Sequence, residues 1–179
     1  VNAREIRLLP EGAKPEPGAL YEFHYPAKDP HVLGIGMAAT RDFIEFLRSG
    51  RPDAAGTANP VRFQTRAALA FGISQSGRFL RDFVRDGFNR GAAGKVFDGM
   101  LAHTAGVGGV FLNHAFGQPA RTYTQHEDHT FPESWFPFST ATLEDPFTRQ
   151  KGSVLRGDGS DPLLIETNTS TEYWQKGAS

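Results

Sequence analysis

The chain of 179 residues is long enough for one domain with its own core, and with 39% apolar and 22% charged residues it has an ordinary globular composition. A formal net charge of −1 gives no electrostatic argument for nucleic acid or an anionic membrane, and no apolar run is long enough to span a bilayer. The absence of cysteine excludes disulfides, thiolate metal sites and cysteine nucleophiles together, without fixing a compartment.

Taken in chain order, Val1 to Glu5 carry neither an initiator Met nor a signal-peptide pattern, so cytoplasmic and secreted or periplasmic locations both stay open. Pro and Gly cluster at 10–18 and 50–60, which read as loops. Leu20 to Tyr25 alternates in the manner of a strand that Pro26 ends. Gly36 to Leu47 has helical periodicity. Ala39, Phe43, Phe46 and Leu47 form its apolar face, Arg41, Asp42, Glu45 and Arg48 its wet one, and Gly50 and Pro52 stop it. Ala67 to Ile73 is a continuous apolar run, expected to be a strand buried on both faces. Ser76 to Phe88 predicts an amphipathic helix with Phe79, Leu80, Phe83, Val84 and Phe88 as its stripe, and with Arg78 and Asp82 placed to pair on the solvent side. Val96 to Ala102 and Leu163 to Thr169 are further strands. Residues 107–160 are rich in Gly, Pro and aromatics without a period, and are expected to form an insertion or lid. Alternation of strand and helix implies βαβ units and a mainly parallel α/β sheet.

The chemistry concentrates where the run 67–73 meets the next helix, at Gly72-Ile73-Ser74-Gln75-Ser76. Small residue, any, Ser, any, small residue between a strand and a helix is a nucleophile elbow. The tight turn thrusts the Ser74 hydroxyl clear of the sheet, and bulky flanks at 72 and 76 would clash. The helix N-terminus aims free amides at the reaction centre, so the Gln75 N–H is the expected oxyanion donor; such a donor is worth about 3 kcal/mol of barrier. Ser76 as nucleophile would put the large Arg78 in the second small slot, so Ser74 is preferred. The competing structural reading is that Ser74 or Ser76 caps the helix.

Other patterns carry less. Gly34-x-Gly36-x-x-Ala39 matches a dinucleotide fingerprint, but the supporting acid is missing: Asp53 is in a loop and too near, and Pro26 to Pro30 separate the glycines from their strand. Close helix–sheet packing is the plainer account, and no cofactor is expected. His126, Glu127, Asp128 and His129 could ligate zinc or calcium, yet in a Pro-rich insertion they read as a solvated loop, and no metal is expected. His103 and His114 read as pocket wall or satisfied imidazoles. Phe111, Phe116, Tyr123, Phe131, Trp135, Phe136, Phe138 and Phe147 mainly pin the irregular insertion, with one or two expected to reach substrate.

Tyr25 to Pro30, Gly34 to Asp42, Gly72 to Leu80 and Thr167 to Trp174, in this order, resemble the alpha/beta hydrolase domain family of bacterial serine hydrolases, over most of the chain. The elbow also resembles that of tannase and feruloyl esterase relatives. The resemblance implies that 20–25, 67–73, 96–102 and 163–169 are the fourth to seventh strands of a hydrolase sheet. The core would be residues 1–106 and 161–179. It also implies that the triad acid follows the last of these strands, which points to Glu172, with Asp161, before that strand, as the substitute. The catalytic His is then expected beyond Ser179, and the second oxyanion loop before Val1, so the chain reads as an internal piece of a longer enzyme. The expected activity is ester hydrolysis on a small-molecule substrate. A non-catalytic binding protein on the same scaffold and a nucleotide-dependent oxidoreductase are the alternatives.

Overall fold

A computed structural model of the protein describes residues 7, 9–19, 25–32, 35–63, 65–110 and 136–175. The chain forms two compact units, Val1–His31 and Val32–Ser179. The described part of the first is a series of turns. Ala13 N–H closes onto the Pro10 carbonyl at 3.1 Å and Ala19 N–H onto that of Glu16 at 3.1 Å. Arg7 and Glu11 pair on its surface at 3.1 Å. Of the strand expected at 20–25, all but an exposed Tyr25 lies outside the described residues.

The second unit runs α1 (Ile35–Ser49), β1 (Leu69–Ile73), α2 (Gln75–Arg85), β2 (Arg90–Gly91), β3 (Gly94–Lys95), β4 (Gly99–His103), β5 (Leu143–Glu144), β6 (Lys151–Gly152), β7 (Leu163–Thr167) and α3 (Ser170–Gln175). β1, β4 and β7 form a parallel sheet in that order, while β2–β3 and β5–β6 are small antiparallel hairpins. The fold is therefore α/β, as the strand–helix alternation predicts. Register aligns Gly72, Ala102 and Glu166 in one row, and Ile73, His103 and Thr167 in the next.

Side chains alternate along each strand, so these two rows face opposite ways. α2 covers the first face. Leu80, Phe83 and Val84 on α2 pack with Met37, Val96, Phe97, Met100 and Val110, and Phe79 and Phe88 close the margin as their spacing predicts. Phe83 is fully buried, with ring centroids 5.8–5.9 Å from Phe79, Phe88 and Phe97.

The second face departs from expectation. Leu69, Phe71 and Ile73 on β1 and Leu163 and Ile165 on β7 are exposed, Phe71 by 62% and Ile165 by 61%. A run apolar at every position predicts burial on both sides. Among the described residues only the α2 side is covered.

α1 is rotated relative to its predicted face. Met37 is buried and Ile44 packs on the core, while Phe43 stays exposed. Arg48, placed on the wet face by pattern, turns inward. Its guanidinium donates to the Val96 carbonyl at 2.8 Å and to Asp98 at 2.7 Å, and Asp98 also accepts the Ala68 N–H at 2.9 Å. This ion pair outweighs the amphipathic pattern because it satisfies backbone groups where both parallel strands begin.

Asp82 is the other correction. It does not sit in water opposite Arg78. It is buried, accepts the Val110 N–H at 2.7 Å and pairs with Arg85 at 2.9 Å. Burial pushes its carboxyl above the usual carboxylate range. Arg81 is buried beside it, paired with Glu166 of β7 and donating to the Phe138 carbonyl.

Of the presumed lid, residues 107–110 and 136–160 are described. Val154 is buried, the Ser160 carbonyl accepts from Asn89 at 2.7 Å, and Arg156 donates to the Arg85 carbonyl at 3.0 Å. With the Arg81–Phe138 contact, these anchors lie along the middle of α2 and at or just beyond its C-terminal end, whereas Ser74 stands at its N-terminal end, about 10 Å from Arg81 and about 17 Å from Arg85 at 1.5 Å per residue. Phe136 and Phe138 stack edge to face at 6.1 Å, and Phe147 on the β5–β6 hairpin is exposed.

Candidate active site

β1 ends at Ile73 and α2 begins at Gln75, so a single residue makes the whole bend. That residue, Ser74, has φ 54° and ψ −119°, a conformation that costs a side-chain-bearing residue energy. Its N–H extends the parallel ladder to the His103 carbonyl at 2.8 Å, and its carbonyl accepts the Arg78 N–H at 3.0 Å to start the helix. Ser74 is exposed, and its hydroxyl makes no capping hydrogen bond to α2. Ser76 lies within the first turn of α2.

Two glycines permit the bend. A Cβ on Gly72 would lie 2.5 Å from the Ser76 carbonyl oxygen, which no backbone tolerates. The pattern's second small slot is Ser76, but the second close approach falls one residue later. A Cβ on Gly77 would lie 3.0 Å from the Ala105 Cβ and 3.3 Å from the His103 carbonyl. Gln75 is the first residue of α2, so its amide is among those with no partner inside the helix.

The C-terminal ends of β4 and β7 complete the rim around Ser74. Beyond β4 the chain turns at Thr104 (φ 51°) and Gly106 (φ 61°). Thr104 N–H donates to the Thr167 carbonyl at 2.6 Å, and Gly106 N–H to Asn168 Oδ1 at 3.2 Å. Arg78 Nε reaches the Ala105 carbonyl at 3.1 Å. The His103 imidazole meets the Thr167 hydroxyl through Nδ1 at 2.8 Å. Sequence pattern singled out neither Thr104 nor Asn168. Their roles come from backbone angles and cross-strand register, which leave no composition signal.

Glu172 sits in α3, on the far side of this rim. Its carboxylate accepts the Thr169 N–H at 2.9 Å and the Thr169 hydroxyl, while the Thr169 hydroxyl oxygen accepts the Thr171 N–H at 3.3 Å. This is the reciprocal arrangement of a capping box, Thr-x-x-Glu. The Thr169 hydroxyl, then its N–H, and more weakly the Arg78 charge hold Glu172 below the usual carboxylate range. Asp161 lies at the other end of β7. It closes a turn by accepting the N–H groups of Arg156 at 2.8 Å and Gly157 at 2.7 Å. β7 therefore separates it from the Ser74 end of the sheet by about 15 Å at 3.3 Å per residue.

The weaker motifs resolve unevenly. A Cβ on Gly36 would meet nothing within 4 Å, so close packing does not explain that glycine. Described residues 25–32 ahead of α1 form no strand, and Gly34 lies outside the described residues. His114 and the group His126 to His129 also lie outside them, as do Phe111, Phe116, Tyr123, Phe131 and Trp135. Among the described residues no group of three His, Asp or Glu is arranged to hold a metal, and no helix is long and apolar enough to cross a membrane.

A family model described as an alpha/beta hydrolase domain matches residues 17–175. No curated protein and no solved structure matches the chain.

Proposed function

The chain belongs to the alpha/beta hydrolase domain family, and on that premise we propose that it is a serine hydrolase that cleaves carboxylic esters through an acyl-enzyme on Ser74. The backbone of Ser74 carries this reading: an exposed hydroxyl on a strained one-residue bend, with no capping bond to occupy it. A serine that merely capped α2 would accept a helix N–H through its hydroxyl oxygen and would need no such conformation.

In the reaction, Ser74 Oγ attacks the ester carbonyl carbon as its proton passes to a base. The Gln75 N–H holds the oxyanion that forms. Collapse expels the alcohol, which takes up that proton, and water then repeats the sequence to release the acid and regenerate the hydroxyl. Glu172 is the proposed acid that orients the basic imidazole and steadies it when charged. Its carboxylate is ionised well into the acidic range, as this role requires, and Asp161 is too far along β7 to share it. The imidazole itself is not assigned among the described residues.

The test is covalent labelling of the full-length protein by a fluorophosphonate. Labelling is expected on Ser74 and is expected to vanish in Ser74→Ala with the melting temperature nearly unchanged. A Ser74→Ala variant that still takes the label at the parent rate refutes the proposal.

A further inference from the structure

We infer that Arg78 is a positioning residue for this reaction, holding the strained turn 104–106 so that the Ser74 bend and the Glu172 helix keep a fixed spacing; the inference rests on the serine-hydrolase reading above. Thr104 is β-branched yet has φ 51°. Such a conformation costs about 1–3 kcal/mol and survives only where the surroundings over-determine it. Three restraints do so. Thr104 N–H is tied to the Thr167 carbonyl, Gly106 N–H to Asn168 Oδ1, and the Ala105 carbonyl between them to Arg78 Nε.

The first restraint comes from the end of β7, the second from the β7–α3 connection, and the third from α2. Arg78 is thus the side chain that links the turn to the helix carrying Ser74, one helical turn after it: the Arg78 N–H bonds the Ser74 carbonyl at 3.0 Å. On the other side, Asn168 immediately precedes Thr169, whose capping box fixes the Glu172 carboxylate. The chain of contacts runs Ser74, Arg78, Ala105, Gly106, Asn168, Thr169, Glu172 without a gap. The positive charge of Arg78 also bears on Glu172, behind the larger effect of Thr169. With Arg78 shortened, the Thr104 strain is free to relax, and a shift of about 1 Å between nucleophile and acid lowers turnover by as much as 100-fold.

The experiment measures kcat and KM for 4-nitrophenyl acetate on the full-length protein and on Arg78→Lys and Arg78→Met. The expected order in kcat is Arg, then Lys, then Met, with the Met variant down about 10- to 100-fold. Lys is intermediate because it keeps the charge and one donor but not the planar fork. KM is expected to stay within about twofold, and the fluorophosphonate still to mark Ser74. Should Arg78→Met fail to fold, Asn168→Ala, which frees the same turn from the other side, is expected to give the same fall in kcat. A folded Arg78→Met, or in its place Asn168→Ala, with parental kcat overturns the inference and leaves the Ser74 reading standing. A parent protein that takes no label at Ser74 overturns both.

Discussion

Ser74 holds its hydroxyl outside the helix at the expense of backbone strain, and that strain is measurable apart from catalysis. Glycine adopts φ 54°, ψ −119° freely, so Ser74→Gly should stabilise the fold by about 1 kcal/mol after the extra chain entropy of glycine is deducted. Ser74→Ala keeps the strain and should not. Both remove the nucleophile. A melting temperature that rises for Gly and not for Ala therefore reports the bend itself, and equal melting temperatures would mean that the bend stores nothing. The elbow was legible in the sequence because its glycines and serine leave few alternatives: Gly72 has no room for a Cβ. The rim opposite was not legible, since Thr104 and Asn168 act through backbone angles and amide contacts that other residues in the same places could also make. Glu172 is proposed only from its place after β7. The capping box that engages it is spelled by Thr169-Ser170-Thr171-Glu172.

At the level of elements, α1 is fixed by Arg48 as well as by its buried Met37 and partly buried Ile44. Asp98 joins that guanidinium to the Ala68 amide, and so ties α1 to the starts of β1 and β4. The Ala68 N–H first, then the Arg48 hydrogen bond and charge, hold Asp98 below the usual carboxylate range. A folded-state value below the unfolded one contributes stability above pH 4 or so, and that contribution is lost as pH falls through the folded value. Asp98→Asn is accordingly expected to lower stability by about 1 kcal/mol at pH 7, a modest figure because the pair is partly open to water. The gap between parent and variant should narrow as pH falls below the ordinary carboxylate range in urea titrations. A gap that persists there would show that the carboxylate charge is not what holds α1. Pattern reading misplaced Arg48 and Asp82 for one reason. Periodicity assigns charges to water by default, and both are drawn inward by backbone groups that only the assembled fold presents.

Among the described residues of the second unit, the sheet has one covered and one bare face, and the bare face is apolar along both outer strands. Aliphatic and aromatic side chains in register at Phe71, Leu101 and Ile165 make a flat surface that water disfavours, and the strands beside it are sheet edges among the described residues. The chain studied by itself should self-associate through this face. Phe71→Thr with Ile165→Thr is expected to shift its sedimentation toward monomer while leaving the melting temperature nearly unchanged, since neither side chain is in the core; unchanged association would place the contact elsewhere. The parallel order β1–β4–β7 also bears on how the molecule assembles. The Ser74 bend needs only β1, α2 and β4, which follow one another directly. The Glu172 side must wait until the long excursion between His103 and Leu163 has closed, a slower event because distant pairing is entropically uphill. The half of the rim bearing the hydroxyl is thus expected to form early, and the half bearing the carboxylate to lock last.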